Sequence, residues 1–237
     1  MKQRIPVVLL SLLLLVAATA GPAAAADKKT RGNTFEDAEQ WAERWESAER
    51  AEWQKPMVVL GLLAIQAGQV VADLGAGTGF FTRSLAIAVG DSGSVYAVDI
   101  EQSMLDYIRS RDDVMQDRVI PVLAAPDDPK LPDGTIDIVL TVNTWHHIKK
   151  RSAYLKLLDR ALTPDGRVVV VDFRGGELPV GPPPGHKLSR AKVLKEFEKA
   201  GWKFAAESIA LPYQYMLTFY PPRESGELDL FPDSGAD

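Results

Sequence analysis

From Gln69 onward, short β-branched runs alternate with longer stretches of helical pattern, and this alternation limits the possible folds more than any other feature. QVVADL, SVYAVDI, RVIPVL, TIDIVLTV and GRVVVVDF have strand character. The segment from Thr78 to Val89, SMLDYIRS and KKRSAYLKLLDRAL have helical character. Strands separated by helices pair in parallel through right-handed crossovers. The unbroken apolar run in VVVVD suits a strand covered on both faces. Near the end, SRAKVLKEFEKAG is an amphipathic helix closed by Gly201, and WKFAAESIAL and QYMLTFY follow with only a Pro212 turn between them. Two strands joined so closely are most simply antiparallel. The pattern predicts an α/β domain with seven mostly parallel strands, helices on both faces and an edge hairpin.

Residues 34–66 read as helical. Thr34 can cap the first helix, with Asp37 three positions on. Ala38, Trp41, Ala42, Trp45 and Ala48 recur at three- and four-residue steps, a stripe expected to pack into the core. Pro56 starts a second helix, PMVVLGLLAI, which Ala67-Gly68 ends.

The first 26 residues are of another kind. Lys2 and Arg4 precede IPVVLLSLLLLVAATA, and the small-residue tract GPAAAA leads to Asp27. That order predicts a signal peptide over 1–26, cleaved after Ala26, and a periplasmic or secreted domain. The alternative is an uncleaved anchor over residues 5–26, which would be the chain's contact with a membrane. Residues 221–237 are polar and acidic and are expected to form a flexible tail. Removal of Lys2 and Arg4 with the signal leaves 25 basic against 32 acidic residues, a net charge of −7. A domain so charged, without a basic stripe, is not expected to bind nucleic acid. The chain has no cysteine and three histidines without ligand spacing, so disulfides, a thiol nucleophile and a structural zinc site are not expected.

The site signal is VVADLGAGTGFFT, where Gly75, Gly77 and Gly79 follow the first strand directly. A strand, a glycine turn and a helix bring unpaired N–H groups to the carboxyl edge of the sheet, where doubly wound folds collect ligands. The dinucleotide fingerprint needs a third glycine at position 80, which is phenylalanine here. Asp73, two residues before Gly75, would repel a pyrophosphate but welcome an ammonium or sulfonium. Asp99 closes the second strand and can accept ribose hydroxyls. A nicotinamide-dependent oxidoreductase is disfavoured on these grounds, and a cationic, phosphate-free nucleoside is favoured.

VVADLGAGTGFFTRSLA, VYAVDIEQSML, LPDGTIDIVLTVNTWHHI and ALTPDGRVVVVDF together resemble class I S-adenosylmethionine-dependent methyltransferases of the quinone-biosynthesis, small-molecule type. The resemblance covers about residues 52–220 and implies a Rossmann-like domain over 27–220 with strand order 3-2-1-4-5-7-6. It implies S-adenosyl-L-methionine as cofactor. Asp73 and the loop Gly75, Ala76, Gly77, Thr78 and Gly79 would hold the methionine part, Asp99 the ribose, and Ile100 the adenine face. The family commonly has an acid after strand three that accepts the adenine amino group. Ala125 stands there, followed by Pro126, and Asp127 or Asp128 would have to substitute.

Where the fourth strand ends, Asn143-Thr144-Trp145-His146-His147 offers the catalytic candidates. His146 or His147 can serve as a base near neutral pH, or can cap the next helix. Asn143 can contact the cofactor or shape the pocket. Asp172 points to the same edge from the end of strand five, and His186 lies at the end of the loop that follows. The resulting expectation is an exported methyltransferase for a small-molecule or lipid-like acceptor. The competing one is an extracytoplasmic binding module of the same fold that does not turn over.

Overall fold

The structure is a computed structural model that describes residues 38–222. The predicted signal segment 1–26, the Thr34 cap and all but the first two residues of the predicted tail lie outside the described residues.

Three helices lead in: α1 (Ala38–Trp45), α2 (Ala48–Gln54) and α3 (Pro56–Leu63). The helix expected up to Gln54 is therefore broken in two. Ser47 breaks it, because its hydroxyl accepts the N–H of Arg50 and caps α2. α3 stops at Ala64, which turns left-handed at φ 47, before the predicted end at Ala67-Gly68. There follow β1 (Val70–Leu74), α4 (Thr82–Ala88), β2 (Ser94–Asp99), α5 (Gln102–Ser110), β3 (Val119–Leu123), β4 (Ile136–Val142), α6 (Arg151–Ala161), β5 (Leu162–Phe173), α7 (Arg190–Lys199), β6 (Lys203–Ser208) and β7 (Gln214–Tyr220). The helix expected from Thr78 begins at Thr82, since Gly79 at φ +88 cannot continue a right-handed turn.

The strands form one sheet in the order β3-β2-β1-β4-β5-β7-β6. Pairings from β3 to β5 are parallel, and β7 runs antiparallel to both β5 and β6. The parallel strands and edge hairpin are those that the pattern predicted, and the Rossmann-like order is the one that the resemblance implied. Successive strand residues face opposite ways. Val169 and Val171 thus pack with Leu63, Leu85 and Ile108 beneath α3, α4 and α5. Val168 and Val170 pack with Leu158, Val193 and Phe197 beneath α6 and α7. Burial on both faces explains why β5 carries four consecutive valines. Among the described residues, no helix is long and apolar enough to cross a membrane.

Candidate functional site

The site lies along the carboxyl edge of the central strands. Three glycines of the loop after β1 take positive φ: Gly75 at 81°, Gly77 at 54° and Gly79 at 88°. At Gly75 a side chain has no room, because a Cβ would lie 2.1 Å from Thr144 Oγ1. Absence of that Cβ lets the β1 loop and the β4 loop meet. At Gly77 a Cβ would come within 3.2 Å of the Trp45 ring, so α1 closes over the loop.

Two acids bracket this loop from the α4/α5 face. Asp73, buried at the end of β1, accepts the Thr82 hydroxyl at 2.6 Å. Burial pushes its pKa up to about 6; the Thr82 bond opposes the rise, Asp99 adds to it, and Arg50 opposes it. Asp99 accepts the Gly77 N–H at 2.8 Å and the Glu101 N–H at 3.0 Å, which ties the glycine loop to β2. Its pKa also rises through burial, with those main-chain bonds opposing. Ala76 and Thr78 are buried in the loop, while Ile100 beside Asp99 is 50% exposed. Thr78 Oγ1 is buried without a hydrogen-bond partner among the described residues.

Sequence reading missed Arg50. Its guanidinium donates to the Trp45 carbonyl at 2.8 Å and lies 4.4 Å above the Phe80 ring. Burial lowers its pKa to about 10, with Asp73 and Glu46 opposing, so it stays charged at neutral pH. Behind it, Arg111 after α5 grips Glu46 at the end of α1 at 2.6 Å. The signal was present in part: Arg50 falls three positions after the capping Ser47, on the first turn of α2.

Asn143, expected from sequence to contact the cofactor or shape the pocket, sits after β4 at φ 58. Its side chain closes a ring of three amides. Gln54 Nε2 donates to Gln214 Oε1 at 2.5 Å, Gln214 Nε2 to Asn143 Oδ1 at 2.5 Å, and Asn143 Nδ2 to Gln54 Oε1 at 3.2 Å. The ring seals α2 against the tips of β4 and β7. Trp53 packs beside it on Phe173, centroids 5.6 Å apart.

On the α6/α7 face of the same edge, His146 meets Asp172. Its Nδ1 lies 2.9 and 2.8 Å from the two carboxylate oxygens, and its main-chain N–H donates to Oδ2 at 3.3 Å. Asp172 is fully buried and also accepts the Phe173 N–H. A carboxylate can only accept, so Nδ1 bears the proton and a neutral ring carries its lone pair on Nε2. His147 packs beside His146, with ring centroids 4.1 Å apart and planes tilted by 41°. Burial lowers its pKa, His146 adds to the lowering, Asp172 opposes it, and His186 adds to it. Asp127 pairs with Lys150 at 3.2 Å and Asp128 with Lys130 at 2.5 Å, both at the surface.

The carboxylates, guanidinium and unpartnered Thr78 hydroxyl form a mixed donor and acceptor set suited to a nucleoside that carries both cationic and anionic groups. Residues 72–170 match a family model described as a methyltransferase domain. The chain is 30% identical over 154 residues to a ubiquinone/menaquinone biosynthesis C-methyltransferase of Vibrio parahaemolyticus, covering 61% of this chain and 58% of that protein. The corresponding protein of Chromobacterium violaceum is 33% identical over 120 residues, covering 50% of this chain and 48% of that one. The chain thus spans about half to three fifths of the length of these curated relatives. A crystal structure of a SAM-dependent methyltransferase from Aquifex aeolicus superposes with a TM-score of 0.72 at 26% identity, over 77% of this chain and 97% of that one. The fold is that of these methyltransferases.

Proposed function

We propose that the chain is an S-adenosylmethionine-dependent methyltransferase acting on a small molecule. The observation that carries this reading is the placement of Asp73 and Asp99 on one face, bracketing a loop of left-handed glycines. A phosphate-binding turn would have no use for the acid at Asp73, beside its first glycine. The methyltransferase-domain match over residues 72–170 supports the same reading. So does the likeness to the Aquifex aeolicus enzyme.

In this reading, Gly75, Ala76, Gly77, Thr78 and Gly79 cradle the methionine part, with Asp73 facing its positive charge and Arg50 its carboxylate. Asp99 accepts the ribose hydroxyls and Ile100 covers the adenine. Asp127 receives the adenine amino group after release from Lys150, an exposed pair that costs little to break. Asn143 acts through the amide ring, by fixing α2 over the crevice. The bound cofactor supplies an electrophilic methyl group on sulfur. His146 takes the proton of an acceptor that must lose one, and Asp172 holds the ring in the receptive tautomer and stabilises its cation. His147 packs against that ring. Trp45 and α2 keep water from the loop. The quinone-biosynthesis names of the relatives support a quinone-like or lipid-like acceptor.

Residues 1–26 support export, so the proposed place of action is periplasmic or extracellular. A second reading, a binding module without turnover, draws on one observation: the acid expected at position 125 is alanine, and both nearby acids already have lysine partners. Calorimetric titration separates the two. Micromolar binding of S-adenosylmethionine and S-adenosylhomocysteine, with none for NAD, is expected of the enzyme. No binding at millimolar concentration would leave the second reading.

A further inference from the structure

Every histidine of the chain lines one cavity. Of about 320 Å³, it opens between the β4 tip, the start of α6 and the segment that leads into α7, and its walls include His146, His147, His186, Arg151, Lys187 and Lys192. No carboxylate is among the residues that line it. This concentration of positive and N–H-bearing groups occurs in a chain of net charge −5, so overall basicity does not account for it.

The walls are anchored from outside the cavity. Glu196 holds Arg151 through Nε at 2.6 Å and Nη2 at 2.9 Å, while Nη1 donates to the Ile148 carbonyl. Those bonds use three of five guanidinium donors and leave two. Lys187 donates one bond to the Gly176 carbonyl at 2.8 Å, and an ammonium has two more to give. The buried Tyr215 hydroxyl fixes the intervening segment through the Leu188 carbonyl at 3.0 Å. Asp172 and Glu196 are the acids behind these walls, one beneath His146 and one behind Arg151. They leave Lys187 and Lys192 without a counter-charge facing the cavity.

Three cationic side chains with spare donors, next to imidazoles, suit a compact oxyanion with several acceptor oxygens. We propose that this cavity binds the phosphate group of a small molecule or lipid headgroup. Lys187 and Lys192 supply charge, Arg151 supplies its two spare N–H donors, and the imidazoles supply polar edges that fix its orientation. The site adjoins the His146–Asp172 pair, yet its binding does not depend on methyl transfer.

Because all three histidines line the cavity, their ring signals report on it. Inorganic phosphate is titrated into the full chain at constant ionic strength, without S-adenosylmethionine, while histidine ring NMR signals are followed. Saturable shifts at millimolar phosphate are expected, with apparent affinity at least fivefold weaker in Lys187→Ala/Lys192→Ala. Both lysines lie toward the surface, and unchanged amide spectra elsewhere would certify the variant's fold. Co-sedimentation with phosphatidylcholine vesicles, with and without phosphatidylglycerol, then identifies the source. Added binding to the anionic vesicles that the double variant loses indicates a lipid headgroup, and phosphate saturation alone indicates a soluble ligand. Shifts that never saturate, equal shifts in the variant, or vesicle binding without phosphate saturation would overturn the proposal. None of these outcomes bears on cofactor binding, which calorimetry reads separately.

Discussion

Asp172, fully buried at the end of β5, holds both the ring and the main chain of His146, with Nδ1 2.8 Å from Oδ2. The tips of two neighbouring strands are locked together, and the imidazole is confined to one tautomer. Proton transfer at Nε2 follows from that restraint, because the other ring nitrogen is already committed.

Asp172→Asn reverses the restraint. An amide nitrogen facing Nδ1 favours a bare Nδ1 and a proton on Nε2. Nitrogen-15 spectra of the His146 ring should show the switch directly. With an acceptor that must lose a proton, kcat should fall about 10²- to 10⁴-fold, the usual contribution of a general base.

Asp73 makes stability and binding depend on pH. Its folded pKa, about 6, lies above the ordinary carboxylate value of 3.8, so the folded chain holds more proton than the unfolded chain between those values. Stability from this group is therefore present at low pH and is lost as pH rises from about 4 to 6. Asp73→Asn should flatten that slope in urea denaturation. Titration with S-adenosylmethionine at pH 6 should release about half a proton from Asp73, visible as a buffer-dependent heat, and the variant should release less.

The amide ring of Gln54, Asn143 and Gln214 has no spare partner. Gln54→Ala leaves the buried Gln214 amide and the half-buried Asn143 amide each short of one bond and should cost about 1–3 kcal/mol in chemical denaturation. Hydrogen exchange in α2 should quicken more than exchange in β4, because the ring is the polar tie between this helix and the sheet.

Gly75→Ala should be the most damaging change in the loop. The added Cβ would meet Thr144 Oγ1 at 2.1 Å, and φ +81 would be strained for alanine. Destabilisation of roughly 1–3 kcal/mol from the backbone alone is expected. Gly75→Ala/Thr144→Ala should recover only part of it, since the Cβ of residue 144, 2.7 Å away, and the strained φ both remain. Full recovery in thermal unfolding would argue against the strain.

The sheet was legible because strand and helix patterns are local and because the valine run of β5 advertises burial on both faces. The glycine loop and its two acids were legible for a similar reason, as they lie on or beside consecutive elements. Asp172 and His146 could each be placed at the carboxyl edge, though not paired, since 26 residues separate them. Gln54 and Gln214 are 160 positions apart, and no periodicity announces such a contact. Likewise, Ser47 lies within the run of apolar residues at helical spacing, which conceals the cap it gives α2. Asn143 was placed at the right edge, but its side-chain partners arrive from both ends of the chain.

Every proposed role at the site requires a sulfonium nucleoside seated between the glycine loop and Asp99. A crystal structure of the chain with S-adenosylhomocysteine tests this most directly. The expected result is density against Gly77, with both ribose hydroxyls within hydrogen-bond distance of Asp99. Density elsewhere, or an empty crevice at saturating ligand, would contradict it.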